Sequence, residues 1–109
     1  MEGIVYVISD YEGYYKIGCT KGELDKRIKH LSTSYHDDFF VVFYYISDYP
    51  FKLERYLHKY FFNKKFKGEW FLLDDSDIFI LKSLCERYEN NFKYIKLNNT
   101  YLYNDNTNR

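Results

Sequence analysis

Alanine and glutamine are absent from this sequence of 109 residues, and proline, tryptophan and methionine each occur once. Cysteine is almost as scarce: Cys19 and Cys85 form neither a disulfide framework nor a cysteine ligand motif. A reduced, intracellular setting is therefore the expectation. The longest apolar run covers residues 39–46, eight residues, where spanning a bilayer takes about 20. No membrane segment is expected. The N-terminus lacks the basic stretch and apolar core of a signal peptide, so the chain is not expected to be secreted. Net charge is missing too, because sixteen basic residues face sixteen acidic ones. That balance argues against a protein that coats nucleic acid without specificity, since such affinity comes from neutralising phosphates.

Aromatic residues are plentiful: 14 Tyr, 10 Phe and one Trp. Phe, Tyr, Ile, Asn and Lys, all with AT-rich codons, make up 52 residues. The aromatic excess is thus partly a genomic habit, one that fits a viral or parasitic genome and a free-living AT-rich organism equally, and is no argument for base stacking. Charge is uneven locally. Between residues 52 and 67 six basic side chains stand against Glu54 alone. Lys64, Lys65 and Lys67 close that stretch and are candidate nucleic-acid contacts. A solvated helix face followed by a basic loop is the equal alternative.

No repeat and no linker interrupts the chain, and 109 residues suit one domain. Residues 1–97 read as that domain, and 98–109 as a polar, disordered tail. The β-branched run 3–8 and the segment 14–18 read as a strand hairpin. With Ile8 paired to Tyr14, Tyr6 would lie directly opposite Lys16, on one face of the sheet. Thr20 and Glu23 fit a capping box opening a helix whose stripe is Leu24, Ile28 and Leu31. Residues 39–46 read as a strand covered on both faces. Pro50 suits a helix start, with a stripe of Leu53, Tyr56 or Leu57, and Tyr60 or Phe61. Residues 68–73 read as a short strand. Asp74 to Ser76 can cap a third helix with Ile78, Leu81, Leu84, Cys85 and Tyr88 inward, and 92–97 as a last strand. The order β-β-α-β-α-β-α predicts an α+β domain with a small, mostly antiparallel sheet of three main strands flanked by helices.

Gly3-Ile-Val-Tyr6-Val-Ile8, Lys16-Ile17-Gly18 with Thr20, Arg27, Glu54 with His58, and Gly68-Glu69-Trp70-Phe71 stand in order along the chain. This series resembles the GIY-YIG endonuclease superfamily, in the branch found among phages and large DNA viruses. There the second motif reads Lys-Ile-Gly and the domain closes on Glu-Trp-Phe. The resemblance implies a nuclease that cuts DNA with one divalent ion, Mg²⁺ or Mn²⁺. Tyr6 would be the general base, Arg27 the phosphate clamp and Glu54 the metal-ligating carboxylate. Lys16 stands where many members carry a second tyrosine. Val5 also intervenes where Gly-Ile usually meets the tyrosine directly.

Physical chemistry sets conditions on that reading. A free tyrosine is about 0.1% phenolate at pH 7, and a nearby cation raises that fraction. Lys16 opposite Tyr6 is one candidate for this service, and a metal-bound water placed between phenol and phosphate is the other. Mg²⁺ keeps several waters and needs only one or two carboxylates, so Glu54 suffices. Each residue also has a plainer role. Tyr6 is one of fourteen tyrosines, Arg27 can cover an apolar stripe with its stem, and Glu54 can pair with His58 one helical turn on. His58 has three readings: a ligand, a residue that orients Glu54, or a satisfied half-buried histidine. Three functions remain open from the sequence. One is a DNA endonuclease. Another is a catalytically weak or inactive module of the same fold that binds nucleic acid or a protein partner. The third, a purely structural or interaction protein, predicts that Tyr6, Arg27 and Glu54 do not converge.

Overall fold

The computed structural model describes residues 2–35 and 39–98. Eight main elements follow one another: β1 (Gly3–Ser9), β2 (Tyr14–Thr20), α1 (Leu24–Tyr35), β3 (Phe40–Ser47), α2 (Pro50–Tyr60), β4 (Lys65–Lys67), β5 (Trp70–Leu72) and α3 (Asp75–Asn98). The five strands form one sheet in the order β3-β1-β2-β5-β4, with every neighbouring pair antiparallel. The α+β class stands, but the sheet has five strands where three main ones were expected.

Side-chain alternation assigns β1 to two layers. Val5 and Val7 point to one face, where they join Ile17, Leu53, Leu57, Phe71, Leu81, Leu84 and Cys85 in the larger core under α2 and α3. Tyr6 and Ile8 point to the other face, against Leu24, Ile28 and Leu31 of α1. Each fully buried aliphatic side chain contributes about 1.5–3 kcal/mol. The larger core therefore carries most of the stability, and the α1 layer is the thinner one.

Several sequence expectations change here, each for a local reason. The hairpin closes more tightly than a five-residue loop. Asp10 takes the amides of Glu12 and Tyr14 on Oδ1, at 2.8 and 3.2 Å, and its own N–H donates to the Tyr14 carbonyl. Gly13 supplies the left-handed backbone (φ 93°) that this turn requires. The register moves with the loop: Tyr6 lies opposite Gly18, and Lys16 opposite Ile8. Tyr6 and Lys16 still share a face, as diagonal rather than direct neighbours. Thr20 does not cap α1. It ends β2 and accepts the Gly22 amide at 3.0 Å, and the helix starts at Leu24.

β3 is an edge strand, not one covered on both faces. Tyr44 and Ile46 are 58% and 56% exposed on the α1 side, beyond the reach of that helix. The segment 92–97 is helix rather than strand, because tertiary partners extend α3. Phe92 stacks near Tyr49 with ring centroids 4.2 Å apart, and Lys93 pairs with Asp48 at 3.3 Å. The cap at Asp74 is as expected: its Oδ1 accepts the Asp77 amide at 2.9 Å, and Asp77 returns a carboxylate to the Asp74 amide. The tail from residue 99 onward lies outside the described residues.

One buried carboxylate ties α3 to the turn between β3 and α2. Glu89 accepts the Ser47 hydroxyl at 2.6 Å and the Asp48 amide at 2.8 Å. Removing it leaves a buried hydroxyl and a backbone N–H without an acceptor, each a penalty of about 1–3 kcal/mol. Glu89→Ala is expected to lower unfolding free energy by about 2–3 kcal/mol, read as a lower urea midpoint at unchanged slope. A midpoint equal to that of the parent protein would refute this clamp.

Candidate active site

The site is built around Ile17, where the sheet stops. β5 pairs only with Tyr14, Tyr15 and Lys16 of β2, so the outer edge of β2 is open from residue 17. Both backbone polar groups of Ile17 are nevertheless satisfied. Its N–H donates to the Glu69 carbonyl at 3.1 Å, and its carbonyl accepts from His58 Nε2 at 2.8 Å. Gly68 makes the first contact possible, since its left-handed backbone (φ 57°) turns the chain just before Glu69. Two separate segments, α2 and the turn before β5, are thereby fastened to one strand residue.

From the α1 face comes Tyr6. Its ring is fully buried, and its phenol lies over Gly18. A Cβ placed on Gly18 would stand 2.5 Å from the phenol oxygen and 2.7 Å from the ring carbon that bears it. The ring therefore occupies space that any side chain at position 18 would fill. Arg27, one turn into α1, donates from Nε to the Tyr6 oxygen at 3.2 Å. From the α2 face come Glu54 and His58, one helical turn apart on the same side of that helix. His58 meets the Phe71 ring edge-on at 5.0 Å, so the imidazole is fixed by packing as well as by the Ile17 carbonyl.

Lys16 is buried and forms an ion pair with Glu69. Trp70, directly opposite Lys16 across β2 and β5, packs on Phe39 with ring centroids 5.5 Å apart. Glu54, His58 and Glu69 offer ligand atoms that all lie within 4.8 Å of one another. Two ligands of a single ion at about 2.0–2.2 Å stand at most about 4.4 Å apart, so small side-chain adjustments would suit one divalent cation.

The electrostatics sharpen the roles. Burial pushes the Tyr6 phenol above its usual range; the Arg27 hydrogen bond and charge pull it back down, and Glu69 and Glu54 push it up. The expectation that Lys16 activates Tyr6 is corrected here. Lys16 faces Glu69, and the cation touching the phenol is Arg27. Arg27 is held even more firmly in its charged form by the same contact. Cys19 sits beside this group, its thiol hydrogen-bonded to Glu54, with burial and the adjacent carboxylates raising it to about 12.

Tyr6, Lys16, Arg27, Glu54 and His58, singled out from the sequence, thus gather at one end of β2. The three lysines do not share that place. Lys64 bridges Asp77 at 2.5 Å and Asp74 at 3.4 Å, anchoring the start of α3. Lys65 and Lys67 lie exposed on the outer strand β4. Three contributors escaped the sequence reading. Glu69 was visible only as part of a Gly-Glu-Trp-Phe string, although a carboxylate next to a turn glycine was the available signal. Gly18 acts through a missing side chain, which no composition reveals. Cys19 belongs to no ligand motif in the sequence, and only its register on β2 places it beside Glu54.

Fold and site together define a small α+β domain with a Tyr–Arg pair and a carboxylate–imidazole cluster at an interrupted sheet edge. The chain belongs to the T5orf172 domain family, whose model matches residues 3–89. This is a phage-associated domain related to the GIY-YIG and HNH group of nucleases. No curated protein and no solved structure matches the chain. The matched span contains every motif that carried the resemblance to the nuclease superfamily. Among the described residues, no helix is long and apolar enough to cross a membrane.

Proposed function

We propose that this domain is a divalent-metal-dependent endonuclease that hydrolyses DNA phosphodiester bonds inside a cell. The observation that carries the reading is the convergence of Tyr6, Arg27 and Glu54 from three different elements. Tyr6 and Arg27 share a hydrogen bond, and the Glu54 charge is felt at the phenol. Phosphodiester hydrolysis needs a proton acceptor for water, positive charge on the phosphate and relief of charge at the leaving oxygen.

Tyr6 supplies the acceptor. Its oxygen takes the proton of an attacking water, and Gly18 and Arg27 hold that oxygen in place. Arg27 bonds Tyr6 through Nε alone among the contacts seen, and its two terminal nitrogens can face a phosphate oxygen. A guanidinium between phenol and phosphate favours the phenolate before transfer and the charged phosphate after it. Glu54 fits the role of metal ligand, being half-buried, ionisable and grouped with His58 and Glu69. A bound divalent cation would supply the charge that stabilises the phosphate and the leaving oxygen. Trp70, opposite Lys16 on β5 and packed on Phe39, stands on the same side of the sheet as Lys16.

Plasmid nicking tests the reading. The protein is expected to convert supercoiled DNA to open circles with Mg²⁺ or Mn²⁺ and to stop on chelation. Arg55→Ala, on the exposed side of α2, should leave the rate within about twofold, a surface change. Glu54→Gln should lower it by about 100-fold or more, as expected when a charge-stabilising group is lost. Equal residual cleavage in all three proteins would mark a contaminant and end the proposal. Binding of DNA without cleavage would favour an inactive module of the same fold.

A further inference from the structure

Glu69 has no role in the reaction as set out above, yet the fold places it with care. Gly68 turns the chain so that the Glu69 carbonyl takes the Ile17 amide, which pins the residue to the edge of β2. Its side chain then turns back toward Glu54 and His58. The Glu69 side chain is 42% exposed, whereas Lys16, its ion-pair partner, is only 5% exposed. Lys16 bonds Oε2. Each carboxylate has a second oxygen, so the pair aims Glu69 inward without using all its acceptor capacity.

His58 is prepared in a second, independent way. A carbonyl oxygen can only accept, so Nε2 carries the ring proton in its bond to Ile17, and Nδ1 keeps a lone pair. An imidazole whose one nitrogen donates to a backbone carbonyl is the arrangement that fixes tautomer and orientation in metal-ligating histidines. The carbonyl belongs to a residue inside the sheet, so the ring has little freedom to turn away.

From these observations we infer that Glu54, His58 and Glu69 together ligate one ion, and that this ion is a first-row transition metal of the Mn²⁺ class rather than Mg²⁺. The proposal rests on the metal-dependent reading of the same site and extends it in ligand set and in metal. The chemistry decides the preference. Mg²⁺ is held through oxygen, keeps several waters and is usually bound by one or two carboxylates. A nitrogen donor adds little for Mg²⁺, while imidazole suits the later first-row metals Fe²⁺, Ni²⁺ and Zn²⁺, and Mn²⁺ is the weakest binder of that series and so the most stringent probe of it. Two carboxylates and one imidazole leave open positions for water and substrate oxygen.

The test reads metal binding directly, with no DNA present. Mn²⁺ is titrated into the full chain and followed by the loss of the free-ion electron paramagnetic resonance signal, with Mg²⁺ as competitor. The expected result is Mn²⁺ binding at least about 10-fold tighter than Mg²⁺. Bound Mn²⁺ should also show ¹⁴N couplings from one imidazole by pulsed resonance, and these should vanish in His58→Ala. Glu69→Gln should weaken Mn²⁺ by about 10-fold or more while its circular dichroism stays that of the parent protein. Wild-type protein without nitrogen couplings overturns the inference, and needs no variant to fold. Equal affinity for the two ions, or unchanged Mn²⁺ affinity in a folded Glu69→Gln, overturns it as well. A protein that shows the nitrogen signature and cuts no DNA would uphold the metal centre and remove the proposed activity. One that cuts DNA without the signature does the reverse.

Discussion

Tyr6→Phe is expected to lower DNA cleavage by about 10²–10⁴-fold, the range for losing a positioned general base, while the protein stays folded. The substitution removes one oxygen from a fully buried ring and leaves the packing against α1 intact. It also removes the acceptor of the Arg27 Nε–H, a half-buried group that water can still reach. The stability change is therefore expected to be small beside the change in rate. pH provides a second reading. The Tyr6 phenol sits above its ordinary range, chiefly through burial, so at neutral pH only a small fraction is phenolate. That fraction grows tenfold per pH unit below the phenol pKa. The wild-type rate should climb with pH from 6 to 9 with a slope approaching one, and any residual rate of Tyr6→Phe should lack that slope. A variant that cuts within tenfold of the parent, or keeps its pH dependence, would exclude Tyr6 as the base.

The other large effect needs no polar group to be touched. Gly18→Ala adds one carbon where the Tyr6 oxygen and ring already stand, at 2.5 and 2.7 Å. The backbone of Gly18 lies in an extended strand and can carry a side chain, so the whole conflict is steric. Overpacking of this kind costs about 1–3 kcal/mol. Tyr6 must yield, because Gly18 is paired to β1 on a central strand. A displacement of about 1 Å at a reacting group can reduce a rate about 10²-fold. Gly18→Ala is therefore expected to remain folded, with a lowered urea midpoint, and to lose cleavage by about 100-fold. Its Mn²⁺ affinity should stay close to the parent value, since Glu54 and His58 come from α2 on the other face of β2 and Glu69 is pinned at the strand's edge through Ile17. Normal activity in Gly18→Ala would show that the phenol is not held where it must act.

Much of this arrangement is legible in the sequence, unequally. Helices with clear periodicity are readable: Pro50, Leu53, Leu57 and Phe61 announce α2, and Asp74 with Asp77 announces the start of α3. The end of α3 is not. Local preference in the segment 92–97 favours strand, and the contacts of Phe92 and Lys93 with the turn before α2 decide for helix. Tertiary context overrides propensity there. The hairpin shows the same limit at smaller scale. Its strands are plain, but the register depends on how Asp10 and Gly13 close the loop, and two residues of shift separate direct from diagonal neighbours. In the site, ionisable types at regular spacing could be nominated one by one. Which cation faces which acid could not, because Lys16 with Glu69 spans 53 positions and Arg27 with Tyr6 spans 21.

The way Ile17 gathers its neighbours also bears on how the chain is made. Tyr6 and Arg27 appear early in synthesis, Glu54 and His58 half-way, and Glu69 later still. Until residues 69–72 have left the ribosome, Lys16 lacks its carboxylate, and the Ile17 amide lacks its acceptor. A nascent or prematurely ended chain can hold the phenol and the guanidinium, yet it cannot hold the ion cluster. In the proposed nuclease the ion site is therefore the part completed last.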